Sequence, residues 1–293
     1  MIYKIIKHRR EKSGMIGRSR ISLNRIIYPD LNLEDFFKFT ADLGLNKVEL
    51  RNDLPEREII DTYSPEQIKD LSKKYAIEIL TINALQKFNL GKDLPGAIKE
   101  LKGLIDLSLS VGCKAIVLCP NNDVNDGRNP GEIFKETVEA LKSFAPLFEE
   151  SGLLGYVEPL GFKESSLSSL VTAMEAIQES DCPNYKIVHD TFHYHIGPDT
   201  SDLIEDKYNL SYTGLVHISG VESFIPIEQY RDDHRILVSA QDRLESKEQI
   251  ELLLKLGYKG DISFEPFAKE VQKMEIEEIK SAIDKSIDYI ITQ

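Results

Sequence analysis

The chain has 293 residues, 41% hydrophobic and 29% charged, the profile of a globular protein long enough to bury its own core without disulfides. Lysine and arginine number 36 against 49 aspartates and glutamates, and a net charge of −13 argues against nucleic acid or an anionic membrane surface as partner. Cys113, Cys119 and Cys182 match no disulfide or zinc spacing and fit a reducing, cytoplasmic compartment, and no apolar run reaches the roughly 18 residues of a membrane span.

The first twenty residues stand apart. Seven basic residues face one acid, Glu11, for a net of +6. No apolar stretch follows them, so the pattern is not a secretory signal. Residues 1–19 are expected to form a disordered basic extension, with Met15 a candidate natural start. Residues 20–293 are expected to form a single domain.

From there, short apolar strands alternate with helical patterns. Residues 21–24 read as a strand, followed by a helix over 33–43 with Asn32 as its N-cap. The second strand is 47–51. Ser64-Pro65-Glu66-Gln67 reads as a capping box with proline at the first helical position. A third strand over 77–83 precedes a helix with Ile98, Leu101, Ile105 and Leu109 at helical spacing. The fourth strand, 115–119, is followed by a helix marked by Phe134, Val138, Leu141, Phe144 and Phe148. The remaining strands are 154–158, 185–190, 213–217 and 261–266, and the remaining helices 167–179, 202–208, 247–256 and 276–291. Ile276, Ile279, Ile283, Ile287 and Ile290 line one face of the last. Eight alternating units predict right-handed crossovers around a parallel sheet, and about 270 residues is the size of a single-domain α/β (β/α)8 TIM barrel. A doubly wound open sheet is the alternative, weakened because no glycine-rich turn follows the first strand.

In such a barrel the site forms at the carboxyl ends of the strands. Those ends carry Asn24, Glu49 and Arg51, Asn83, Glu158, Asp190, His217 and Glu265. Side chains alternate along a strand. If Glu265 faces inward, Ser263 does too, while Ile262 and Phe264 face the helices. If Glu49 faces inward, so does Arg51, while Val48 and Leu50 face out. Three carboxylates and one imidazole from the last four strands make a donor set for a divalent metal, manganese favoured, with cobalt, magnesium and zinc open. The competing reading is a buried acid–base network with Arg51 or Lys186 as counter-charge. Five of the six histidines fall between 189 and 234. His189 is expected to face outward, and His193 to sit above the rim within reach of a ligand. Asp232, Asp233 and His234 read as a solvated run or as a rim site for substrate or a second metal. Cys119 is expected to pack.

Five segments, Asn-Ala-Leu-Gln-Lys-Phe-Asn (83–89), Val-Glu-Pro-Leu-Gly (157–161), His-Asp-Thr-Phe-His-Tyr-His (189–195), Val-His-Ile-Ser (216–219) and Phe-Glu-Pro-Phe (264–267), resemble the xylose isomerase-like TIM barrels. Within that family they are most similar to the 2-keto-myo-inositol isomerases of inositol catabolism. The resemblance runs from about residue 21 to the end, with looser matches at Glu-Leu-Arg (49–51) and Asp-Asp-His-Arg (232–235). It implies one divalent metal on Glu158, Asp190, His217 and Glu265, with Glu158 and Glu265 as the acid–base pair. Substrate would meet His193, Arg51, Asn24, Asn83, Gln86, Arg235 and His234. Leu237-Val238-Ser239-Ala240-Gln241 replaces a glycine-rich stretch, and Val221-Glu222-Ser223 lacks the arginine of ketose epimerases. Both departures imply a substrate orientation unlike that of open-chain ketose enzymes.

The activity so implied is a carbonyl shift on a small keto-polyol, through an enediolate. An inosose dehydratase, a ketose 3-epimerase, an apurinic endonuclease and a non-catalytic sugar-binding barrel stay open as alternatives, as does a homo-oligomer.

Overall fold

The computed structural model of the protein describes residues 16–291. The expected basic extension lies outside the described residues as far as residue 15. From there Ile16 is buried in the core, and Arg18 donates to the Leu43 carbonyl at 2.8 Å and to Asp284 at 2.6 Å.

Eight parallel strands close in chain order: β1 (Ile21–Asn24), β2 (Lys47–Arg51), β3 (Glu78–Leu85), β4 (Ala115–Leu118), β5 (Leu154–Val157), β6 (Tyr185–Asp190), β7 (Thr213–Ile218) and β8 (Asp261–Phe264). Pairing of Ile21 with Ile262 and Leu23 with Phe264 shuts the ring and rules out the open sheet. Outside it run α1 (Leu33–Asp42), α2 (Pro65–Tyr75), α3 (Leu94–Val111), α4 (Pro130–Ser151), α5 (Leu170–Ser180), α6 (Thr191–Ile196), α7 (Ser201–Lys207), α8 (Ser246–Lys255), α9 (Lys269–Gln272) and α10 (Ile276–Ile291).

Local chemistry sets these boundaries. Asn32 caps α1 by accepting from the Asp35 amide at 2.9 Å. Ser64 and Gln67 exchange both bonds of a capping box at α2, and Asn129 and Glu132 do the same at α4 behind Pro130. Gly112 and Gly152 end α3 and α4 at φ of 78° and 71°, where a Cβ would be strained. The isoleucine stripe of α10 is buried from Ile279 to Ile290, whereas Ile276, in its first turn, is 42% exposed.

Period two then sorts the side chains. Val48, Leu50, Ile262 and Phe264 enter the large core between strands and helices, as the alternation requires. Inside the ring, Leu80, Ala84, Val117, Cys119, Val188 and Leu215 form a smaller apolar cluster beside Tyr156. Tyr156, Val188 and Leu215 each stand two residues before a polar strand-end residue, so this cluster floors the polar layer above it. β5 and β8 stop short of the expected ends. Even so, the Glu158 amide donates to the Leu118 carbonyl at 3.0 Å and the Glu265 amide to the Ile218 carbonyl at 2.9 Å. Each glutamate keeps one ladder bond while its side chain crosses the mouth.

One close approach braces the rim. A Cβ on Gly161, in the loop after β5, would lie 2.0 Å from the His193 carbonyl oxygen of α6. Only glycine permits that backbone contact.

Candidate metal centre

Glu158, Asp190, His217 and Glu265 converge at the carboxyl ends of β5 to β8. One ligand atom from each lies within 4.8 Å of all the others, and all four residues are buried. Nδ1 of His217 stands 2.8 Å from Oε1 of Glu158, 3.2 Å from Oε2 of Glu265 and 3.9 Å from Oδ2 of Asp190. Asp190 is fixed from behind. Its Oδ1 accepts from the Phe192 and His193 amides at 2.7 and 2.9 Å and so caps α6, leaving Oδ2 to face the cluster.

Two guanidiniums close the layer. Arg51 donates to Oε1 of Glu265 at 2.7 Å and to Oδ1 of Asn24 at 3.2 Å, and is gripped on its outer side by both oxygens of Asp53. Arg235 donates to Oδ2 of Asp190 at 2.5 Å, to Oε2 of Glu265 at 2.9 Å and to Ser219 Oγ at 3.0 Å. The Phe267 ring lies under both, 5.0 Å from one guanidinium and 4.7 Å from the other.

Glu49 completes the set. It is 0% exposed and accepts from Thr81 Oγ1 at 2.5 Å and Asn83 Nδ2 at 3.0 Å, with Nε2 of His217 at 3.1 Å. The sequence reading turned Glu49 inward and gave it no role.

Charge bears on the two readings of the cluster. Glu49, Glu158, Asp190 and Glu265 are buried carboxylates, and Arg51 and Arg235 are the buried guanidiniums beside them. That leaves two negative charges before His217 is counted and one with a protonated imidazole, and unpaired buried charge is expensive. A dication on a neutral imidazole balances them, and three carboxylate oxygens with one nitrogen are a donor set that manganese, zinc or cobalt accepts. The residues present therefore fit a divalent ion. The network reading holds for Arg51 but not for Lys186, which lies toward the amino end of β6 and bonds the Ser211 carbonyl at 2.9 Å.

The titration directions report the negative field that the four carboxylates set up at His217. Burial pushes the His217 imidazole down, but Glu265, Glu49 and Glu158 outweigh it and hold its pKa well above the ordinary value. Burial pushes the Glu265 carboxyl up, and His217, Arg235 and Arg51 overcome that and hold it well below the usual range. Burial and the nearby Glu158 charge keep the Cys119 thiol protonated, its Sγ 3.6 Å from Oε2 of Glu158.

The other residues singled out in the sequence are spread more widely. His193 is 5% exposed, its ring edge-on to Phe162 and Phe192 and its Nδ1 buried without a partner. His189 faces outward, bonded to Gln249 at 3.0 Å. Gln86 is exposed on the turn after β3. His234 turns away from the four-residue cluster. Its Nδ1 accepts from the Arg231 amide at 3.0 Å, in a groove shared with Glu222, Asp233 and Lys269. Asp232 is taken by Arg235 at 3.2 Å, so Asp232 and His234 do not converge.

Known proteins share this arrangement of strands. A relative named inosose isomerase, from Halalkalibacterium halodurans, is 24% identical over 264 residues, 88% of this chain and 92% of its own. A xylose isomerase domain containing protein from Salmonella typhimurium LT2 superposes with a TM-score of 0.89 at 37% identity, covering 94% of this chain and 99% of the other. The IolI protein, solved with a bound zinc atom, superposes with a TM-score of 0.83 at 22% identity over 93% and 98%. The family model described as xylose isomerase-like TIM barrel matches residues 37–292, and the chain belongs to that family.

Proposed function

We propose that this protein is a divalent-metal-dependent isomerase that moves a carbonyl between adjacent carbons of a keto-polyol. Its reaction in this proposal is 2-keto-myo-inositol to 1-keto-D-chiro-inositol, a step of inositol catabolism. The reading is carried by the convergence of Glu158, Asp190, His217 and Glu265 in a chain whose relative is named inosose isomerase. Those four side chains would hold the ion. A divalent ion bound there supplies a Lewis acid that makes the C–H beside a carbonyl more acidic.

The two glutamates differ in what occupies their oxygens. Both oxygens of Glu265 are engaged by guanidiniums, which hold it ionised. Oε1 of Glu158 faces His217, and Oε2 has the Cys119 thiol at 3.6 Å. Oε2 of Glu158 is thus the oxygen placed to take a proton. In the proposal it removes the C–H proton between carbonyl and hydroxyl, giving an enediolate of the substrate. The proton returns to the former carbonyl carbon, the hydroxyl proton passes to the former carbonyl oxygen, and the carbonyl closes one position along. Glu265 keeps its charge and orients the layer. Proton transfer by a placed side chain contributes roughly 10²–10⁴-fold. His193, with its unpartnered Nδ1, reads a ring hydroxyl, while the amides of Asn24 and Asn83 are engaged with Glu49. Arg51 and Arg235 act by holding Glu265 and Asp190. Gln86 is exposed on the turn after β3 and His234 is bonded within its own loop, and the proposal gives them no contact with substrate.

The test is ¹H NMR of 2-keto-myo-inositol with manganese-loaded protein in D₂O. The expected result is a new inosose isomer carrying deuterium beside its carbonyl. Loss of water from the substrate would make the protein a dehydratase. Unchanged substrate without deuterium would remove the inositol assignment.

A further inference from the structure

We infer that Glu49 is a positioning residue for the metal centre, fixing the His217 tautomer so that the Nδ1 lone pair faces the three ligand carboxylates. The inference rests on reading the four-residue cluster as a metal site, and it adds a residue from the opposite side of the barrel.

A neutral imidazole has one N–H and one lone pair. For His217 to serve the cluster, the lone pair must sit on Nδ1, the nitrogen that faces Glu158, Glu265 and Asp190. Nε2 must then carry the proton and find an acceptor. At 3.1 Å that acceptor is Oε2 of Glu49.

Glu49 is itself held in the accepting role. Thr81 Oγ1 and Asn83 Nδ2 both donate to Oε2, and Asn24 Nδ2 donates to Oε1 at 3.4 Å. Asn83 also donates to Thr81 Oγ1 at 2.8 Å, which turns the threonine proton toward Glu49. Among the described residues no lysine or arginine bonds this carboxylate, and His217 is its ion-pair partner. A fully buried acid surrounded by neutral donors is costly unless its charge is used. Orienting a metal-ligating histidine and raising its basicity is such a use, and such partners are worth 10–100-fold in metal affinity.

The experiment takes the full-length protein stripped by chelator and titrates zinc ion against a competing chelator. Glu49→Gln is expected to weaken zinc binding by about 10–100-fold, and Glu49→Leu by at least as much, with unchanged circular dichroism. Thr81→Val, which leaves the carboxylate in place but loosens it, is expected to weaken binding several-fold. A spectroscopic arm separates orientation from general damage. In zinc-loaded protein labelled with ¹⁵N-histidine, and assigned with His217→Asn, His217 should show zinc at Nδ1 and a slowly exchanging, strongly downfield Nε2 proton. That proton should move upfield and exchange faster in Glu49→Gln. Folded Glu49 variants with wild-type zinc affinity, or zinc found on Nε2, would overturn the inference. If neither Glu49 variant folds, Thr81→Val decides, and unchanged affinity with an unchanged Nε2 proton overturns it. Wild-type protein that binds neither zinc nor manganese would remove the metal reading itself, and the inference with it.

Discussion

The two sides of the barrel mouth use opposite chemistry. β5 to β8 bring Glu158, Asp190, His217 and Glu265, whose oxygen and nitrogen atoms crowd around one point. β1 to β3 bring Asn24, Thr81 and Asn83, whose value lies in hydrogens they donate, together with Glu49 and Arg51. β4 is the seam, and at its carboxyl end the mouth receives only the thiol of Cys119. Three buried carboxylates repel one another and do not hold themselves in place. The donor side holds part of that geometry, through Arg51 and Asn24 on Glu265 and Glu49 on His217, and a change on either side should be felt in different observables.

The largest expected effect falls on the ligand side. Glu158→Gln should lower kcat by about 10²–10⁴-fold with unchanged circular dichroism, and full activity would remove Glu158 from the proton's path. On the donor side the effect should fall on stability. Arg51→Met leaves Oε1 of Glu265 with the Asn24 amide at 3.1 Å, and breaking a buried pair costs about 3–5 kcal/mol, readable by urea unfolding of chelated protein. An unaltered unfolding midpoint would mean that Arg235 alone compensates Glu265. Metal removal joins the two sides. A saturating divalent ion at a hundred times its Kd should raise unfolding stability by about 2.7 kcal/mol, and Glu49→Gln should need more metal for the same gain.

The smallest effect should come from the seam. In the loop between β4 and α4, Arg128 grips both oxygens of Asp126, at 2.9 and 2.5 Å, and holds its carboxyl well below the usual range. A carboxyl whose native pKa is depressed stabilises fully above its unfolded value of about 3.9 and loses that contribution as pH falls toward the native value. The Tm gap between wild type and Arg128→Met should thus be widest near neutral pH and narrow below pH about 4. A gap independent of pH would assign the loop's stability to packing.

Much of this was written in the chain. The strand period placed Glu49, Arg51 and Glu265 on one face and Val48, Leu50, Ile262 and Phe264 on the other, and the apolar face is the one that packs on the helices. The caps at Asn32 and Ser64 were legible because a cap is local. The role of Glu49 was not, because its partner His217 lies 168 residues away and meets it only when the ring closes. A bulge also intervenes, pairing Val48 with Ile79 but Glu49 with Thr81, so Leu80 and Thr81 both point inward. No alternation pattern announces that offset. The one available signal was polar residues at inward positions of neighbouring strands, Glu49 beside Thr81 and Asn83. His234 escaped for the opposite reason. Its direction is set by a bond to the Arg231 amide within an irregular loop, where no period applies.

Gly161 carries a consequence for anyone who would reshape the mouth. Its α-carbon rests against the His193 carbonyl, on the short helix that Asp190 caps. A single added methyl there would wedge the loop carrying Glu158 away from the helix that fixes Asp190. Position 161 thus couples the strand end carrying Glu158 to the helix capped by Asp190, and alanine at this one site would push the two apart.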